Sequence, residues 1–260
     1  MGEFVRIETG AADGVATLRL DRPKVNALNA QVVSELHKAA DELAGRGDIR
    51  AVVIWGGPKV FAAGADITEF SGMSTEDARD LSQRINDAFR ALESLPQITI
   101  CAINGYALGG GCELAMAAEF RLVGESAVLG QPEILLGLIP GGGGTQRLSR
   151  LVGITKAKEL IYSGRMVKAE EAVTIGLASA LHPDDELYDE AVKLAARYAS
   201  GPAAITLAKK AILDGYFLSL DDALEVEVEA FAACFGTDDA HIGVASFLES
   251  GPGKAEFSGS

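Results

Sequence analysis

Cysteine and histidine are scarce in this chain, with three of each among 260 residues. Cys101, Cys112 and Cys234 show no C-x-x-C spacing. An odd, scattered set argues against a disulfide framework, so a reducing cytoplasm is the expected setting. His37, His182 and His241 lie far apart with no H-x-x-x-H pattern, and no metal site is expected. Long apolar runs are missing as well. A stretch such as Ile98 to Ile103 falls far short of the roughly 20 residues that a membrane helix needs, so no membrane span is expected. Positive charge is the minority sign, 23 Lys and Arg against 37 Asp and Glu, for a net charge of -14. That balance disfavours broad binding to nucleic acid or to anionic lipid. The segment from Met1 to Asp13 lacks a basic region followed by an apolar one, and no targeting signal is read there.

Thirty glycines invite phosphate-loop readings, which the surrounding residues reject. Gly141-Gly142-Gly143-Gly144-Thr145-Gln146-Arg147 lacks the Lys-Ser/Thr ending of a P-loop, and no G-x-G-x-x-G joins an early strand to a helix with an acidic residue about 20 positions later. Folds for nucleoside triphosphates and dinucleotides are therefore disfavoured. On its own this glycine run reads equally well as a flexible turn before a helix.

At 48% hydrophobic residues the chain can bury a large core. Val5 to Thr9 and Val15 to Leu20 alternate in β fashion, with a turn expected over Gly10 to Gly14. Asn29 is placed to cap a helix in which Val32, Val33, Leu36, Ala40 and Leu43 share a face up to Gly45. Ala51 to Trp55 reads as a buried strand. Further along come a helix from about Thr75 to Leu95, a strand from Ile98 to Ile103, a helix opening in Gly109-Gly110-Gly111 and a strand from Phe120 to Val123. Strands alternating with helices imply βαβ units and an α/β fold. Beyond about Gly143 the pattern turns helical: 156–162, 168–174, 187–199, 204–213, 220–235 and 242–248.

Three stretches could carry chemistry. In Asn104 to Ala118 a strand runs into glycines and then a helix, leaving backbone N–H groups free at the helix start, where a developing oxyanion can be held. Glu113 in that helix has Gly109, Gly110, Met116 and Ala117 at its i±3 and i±4 positions, apolar company for a carboxylate. Taken alone, it reads either as a catalytic group or as a side chain complementing the helix dipole. Glu133, after Gly130-Gln131-Pro132, reads alone as a solvated turn residue. Phe61 to Ile67 would let a ligand lie against the backbone, or it is a packing turn of small residues.

Together these stretches resemble the enoyl-CoA hydratase/isomerase, or crotonase, family. The resemblance rests on Asp21-Arg22-Pro23 with Asn26-Ala27-Leu28-Asn29, on Phe61 to Ile67, on Asn104 to Met116, on Gln131-Pro132-Glu133, and on Ile139-Pro140-Gly141 through Arg147. The motifs stand in family order over roughly residues 5 to 236. What the resemblance implies is a crotonase-like spiral of ββα units over residues 1–195, with a helical C-terminal region over 196–260 that builds a homotrimer, commonly paired into a hexamer. It implies a hydro-lyase of fatty-acid metabolism that adds water to a 2-enoyl-CoA. It also implies that the N–H groups of Ala65 and Gly110 bind the thioester oxygen and that Glu113 and Glu133 flank the reacting double bond. Gly141 would help to place the water, and Ala63, Asp66, Ile67 and Thr68 would lie along the adenine of coenzyme A. Two positions depart from the pattern: Thr68 stands where many hydratases place a lysine, and Ser250 to Phe257 replaces a basic ending.

Hydration of an enoyl thioester calls for two oxyanion donors and two carboxylates. It needs neither metal nor organic cofactor, and coenzyme A enters as part of the substrate. Two carboxylates about 5 Å apart at an effective dielectric near 20 repel by roughly 3 kcal/mol, enough to keep one of them protonated. The helix dipole favours an ionised Glu113, which is assigned as the base toward water, and Glu133 as the proton donor. An isomerase would need chiefly one glutamate. A non-catalytic acyl-CoA-binding or scaffold protein would need none of this set.

Overall fold

In the computed structural model, which describes residues 2–260, the expected hairpin forms from β1 (Val5–Ala12) and β2 (Val15–Leu20). The first strand runs on through Gly10, however. Ala12 pairs with Val15 across a two-residue turn at Asp13-Gly14, and the register slips between Thr9 and Ala12 to absorb the extra residues.

α1 (Ala30–Ala44) begins where Asn29 accepts a hydrogen bond from the N–H of Val32, and it buries Val32, Val33, Leu36, Ala39, Ala40 and Leu43. Each large side chain in such a face contributes on the order of 1.5–3 kcal/mol. Next come β3 (Ala51–Trp55) and α2 (Thr75–Glu93), the latter opened by a capping box between Ser74 and Asp77. β4 (Ile98–Ile103) is buried at every position. It is followed by β5 (Tyr106–Leu108), α3 (Gly110–Met116), β6 (Phe120–Gly124), β7 (Val128–Gly130), α4 (Gly144–Val152) and α5 (Ile154–Ser163). The remaining elements are β8 (Met166–Lys168), α6 (Ala169–Thr174), β9 (Ala180–His182), α7 (Leu187–Ala199), α8 (Ala204–Gly215), α9 (Leu220–Cys234) and α10 (Asp238–Ser250).

The main sheet has the order β1-β2-β3-β4-β6-β9, parallel everywhere except the hairpin. A second sheet, β5-β7-β8, is approached by single parallel bridges between Ala62 and Ala107 and between Leu28 and Ala65. Successive turns of chain therefore supply a long strand, a short strand or bridge, and a helix. This is the ββα spiral that the family resemblance implies. The short rungs bring Leu28, Ala65 and the start of α3 together, and that meeting point is where the site lies.

One face of the main sheet packs on α1, α2 and α3, and the other on α7, through Leu187, Ala191, Ala195 and Ala199. α7 thus runs through the boundary expected at residue 195 and packs on the sheet along its whole length; α8 to α10 follow it. Lys209 of α8 is fastened to the sheet by Glu119 at 2.7 Å and by donating to the carbonyl of Gln97 at 2.8 Å. Removing either charge of so buried a pair would leave the other uncompensated.

Candidate active site

The turn that opens α3 is built for glycine. Gly109 has φ 51 and ψ -123, a conformation L side chains rarely adopt, and a Cβ there would lie 2.9 Å from Glu133 Oε1. Gly110 is the first residue of the helix, so its N–H has no helical partner. A Cβ on Gly110 would stand 3.6 Å from the nitrogen of Ala65. The chain around Ala65 is paired to Leu28 through the Gly64 carbonyl and the Asp66 N–H, which turns the Ala65 N–H the other way. Among the described residues neither N–H has an acceptor, and both lie beside one small space. The Gly109 carbonyl belongs to the same peptide unit as the Gly110 N–H. It accepts from the Glu113 N–H at 2.9 Å and from Gln131 Nε2 at 3.1 Å, which fixes the direction of that donor.

Glu113 is 2% exposed. Its Oε1 accepts from the N–H groups of Gly142 at 2.8 Å and Gly144 at 2.7 Å, so the glycine run is a cradle for this carboxylate. Oε2 is left for another donor. Burial raises the Glu113 carboxyl above its ordinary value, while the two loop N–H groups and the Arg147 charge act in the opposite direction.

Glu133 opens a 3-10 turn, Glu133–Leu136, directly after β7. Its Oε2 is buried with no partner among the described residues. A carboxyl in that position is best kept protonated, and its pKa is pushed up to about 7, by burial first and by the charge of Glu113 to a smaller degree. Repulsion between the two glutamates, the cause read from the sequence, is therefore secondary to desolvation.

Gly141 turns its carbonyl toward α2, where it accepts from Ser82 Oγ at 2.6 Å and Asn86 Nδ2 at 2.8 Å. Its own N–H has no acceptor among the described residues. Ala63, Asp66, Ile67 and Thr68 lie on the strip beside Ala65. The Ala63 N–H donates to the Val25 carbonyl, and Ile67 is 58% exposed. The Asp66 carboxylate is committed: it accepts from the Thr68 hydroxyl at 2.6 Å and pairs with Arg22 at 2.7 Å, interactions that hold it below the usual carboxylate range. A cation thus stands on this strip although Thr68 is not a lysine.

Gly110 stands beside Ala65 and Glu113, Glu133 reaches Gly109, and Gly141 adjoins the Gly142 amide that donates to Glu113, while Ala63, Asp66, Ile67 and Thr68 flank Ala65 along the chain. Sequence reasoning assigned no role to Gln131 or to the amides of Gly142 and Gly144. Four successive glycines were the available signal, but amide donors carry no side-chain pattern.

A sequence model of the family described as enoyl-CoA hydratase/isomerase matches residues 10–259. A short-chain-enoyl-CoA hydratase of Clostridium acetobutylicum is 43% identical over 238 residues, 90% of this chain and 91% of the relative. A crotonyl-CoA hydratase of Syntrophomonas wolfei is 41% identical over 238 residues, 90% of this chain and 92% of the relative. The crystal structure of an enoyl-CoA hydratase from Bacillus anthracis is similar with a TM-score of 0.93 at 38% identity, covering 99% of this chain and all of that one.

Proposed function

The chain belongs to the enoyl-CoA hydratase/isomerase family, and from that premise we infer that it adds water reversibly across the double bond of a 2-enoyl-CoA to give a 3-hydroxyacyl-CoA. The observation that carries this reading is the pairing of two differently held glutamates beside two free N–H groups. The thioester oxygen accepts from the N–H groups of Ala65 and Gly110, which stabilises enolate-like charge and makes the β-carbon electrophilic. Water sits between the Gly141 N–H and Glu113 Oε2. Glu113 takes its proton as oxygen bonds to the β-carbon, and Glu133, the protonated carboxyl, delivers a proton to the α-carbon. No metal or organic cofactor is required for this chemistry.

Ala63, Asp66, Ile67 and Thr68 are assigned to the adenine end of coenzyme A, with Arg22 neutralising Asp66. Its similarity to a short-chain-enoyl-CoA hydratase and a crotonyl-CoA hydratase points to short acyl chains for this site as well. Assay of enoyl-CoAs of increasing length, by loss of the conjugated thioester absorbance, should show hydration fastest with the four-carbon substrate. It should slow as pH rises through about 7, because Glu133 then loses the proton it must donate. Isomerisation of a 3-enoyl-CoA without hydration of any 2-enoyl-CoA would refute the reading.

Assembly is part of the proposal. Leu220, Leu224, Val228 and Phe231 on α9 and Phe235 at its C-cap form an exposed apolar stripe at helical spacing, α9 having no buried residue, and Val244, Phe247 and Leu248 of α10 are exposed as well. A stripe of this size is unusual on a monomer. A homotrimer, or a hexamer of two, would cover it, with residues 196–260 supplying the contact. Light scattering at micromolar concentration should report three or six times the chain mass of 27.1 kDa, and a monomer would overturn the assignment. No helix among the described residues is long and apolar enough to cross a membrane. Three unpaired cysteines support a place in the reducing cytoplasm.

A further inference from the structure

We propose that Arg147 of α4, held by Glu93 of α2, is a positioning residue for Glu113, acting through the Gly141–Gly144 loop together with Ser82 and Asn86. The inference rests on the reading that Glu113 activates water, and it names what keeps that glutamate fit for the task.

The geometry is a set of peptide units clamped at one end and used at the other. The unit between Gly141 and Gly142 offers its carbonyl to Ser82 and Asn86 and its N–H to Glu113. The unit between Gly143 and Gly144 offers its carbonyl to the N–H groups of Gln146 at 3.0 Å and Arg147 at 2.8 Å, and its N–H again to Glu113. The intervening carbonyl, that of Gly142, accepts from Arg147 Nη1 at 3.0 Å. The carbonyls of Gly141, Gly142 and Gly143 are therefore all tied down, and each of the two N–H groups that point at Glu113 has its direction fixed from behind. Hydrogen bonds chained through a peptide in this way also polarise one another.

Arg147 contributes more than one contact. Its guanidinium lies against the loop because position 143 is glycine: a Cβ there would fall 2.2 Å from Nη1, and the backbone has φ 99. Glu93 grips the guanidinium through Nε at 3.2 Å and Nη2 at 2.9 Å, a two-pronged hold that lysine cannot reproduce. The charged and titratable groups around Glu113 are few. Arg147 approaches from α4 and Glu133 from the turn after β7, and Cys112 on α3 itself is neutral, its thiol pushed up to about 12 by burial. From α2 come the apolar Ile85 and Phe89, against which Gly142 packs, and Glu93 already paired with Arg147. Arg147 is thus the cation that favours an ionised Glu113, and it opposes the burial of that group.

The test follows Glu113 itself as well as activity. Its protonation can be read as the infrared carboxyl band that rises on acidification and is absent from Glu113→Gln, and the same transition should form the acidic limb of the hydration profile. In Arg147→Met both the band and the limb should move to higher pH by about one unit, lowering kcat on that limb about tenfold with KM little changed. Arg147→Lys should restore most of the limb position but not all of the rate. Glu93→Gln and the double variant Ser82→Ala with Asn86→Ala should shift it in the same direction by less. An infrared band and acidic limb that stay at their wild-type position in Arg147→Met would overturn the inference, whatever happens to kcat. Should that variant not fold, unchanged titration in both Glu93→Gln and the double variant would overturn it equally. Wild-type protein that hydrates no enoyl-CoA would instead defeat the functional reading, and the infrared titration would still decide the role of Arg147.

Discussion

Gly110→Pro is expected to lower kcat for hydration by about a hundredfold to a thousandfold, the loss typical of deleting one oxyanion donor. The substitution is an unusually clean probe at this place. Gly110 is the first residue of α3, where proline is well tolerated because the missing N–H would have had no helical partner. Its backbone does not use the left-handed region, and a Cβ there would approach Leu28 Cδ1 no closer than 3.3 Å. The fold should therefore survive with modest strain, while one of the two N–H groups aimed at the thioester is removed. The check is kcat and thermal melting on the same preparation. Retention of hydration within tenfold of wild type by a folded variant would remove Gly110 from the oxyanion hole.

That probe depends on a part of the site that was legible in the sequence. A strand, three glycines and a helix with a glutamate among small apolar residues forecast both the free N–H and the buried carboxylate, because each follows from local backbone geometry. The Asn29 cap, the α1 face and the buried β3 and β4 were legible for the same reason. Less was legible where the determining contact is distant or belongs to the main chain. The Gly141–Gly144 run reads as a flexible turn until the Gly142 and Gly144 amides are seen on Glu113, about thirty positions back. Arg147 and Glu93 are separated by 54 positions, and nothing in either segment announces the other. β5, β7, β8 and β9 have three residues each, too few for a period to show. The order of causes at Glu133 was also out of reach, since repulsion between two glutamates can be guessed from their presence but burial cannot be guessed from a turn motif.

Glu113→Gln should separate the two carboxylates. The variant keeps the size of the side chain, and its amide oxygen can still accept from the Gly142 and Gly144 N–H groups, so the cradle should remain formed. It cannot take a proton from water. Hydration is expected to fall at least about a hundredfold, within the range for a general acid–base group. Glu133 is untouched in that variant, and with an oxyanion hole intact it should still exchange an α-proton of a bound acyl-CoA with deuterium. Glu133→Gln should lose both activities, because the same carboxyl delivers the α-proton in hydration and removes it in exchange. Circular dichroism of each variant distinguishes these outcomes from unfolding, which would depress both reactions together.

The most direct measurement is therefore made on Glu113→Gln, with hydration of a short 2-enoyl-CoA and deuterium exchange at the α-carbon of the saturated acyl-CoA followed side by side. This division of labour predicts hydration reduced at least about a hundredfold with exchange retained. Hydration at the wild-type rate in that folded variant, or loss of exchange with hydration preserved, would contradict the assignment of Glu113 as the base toward water.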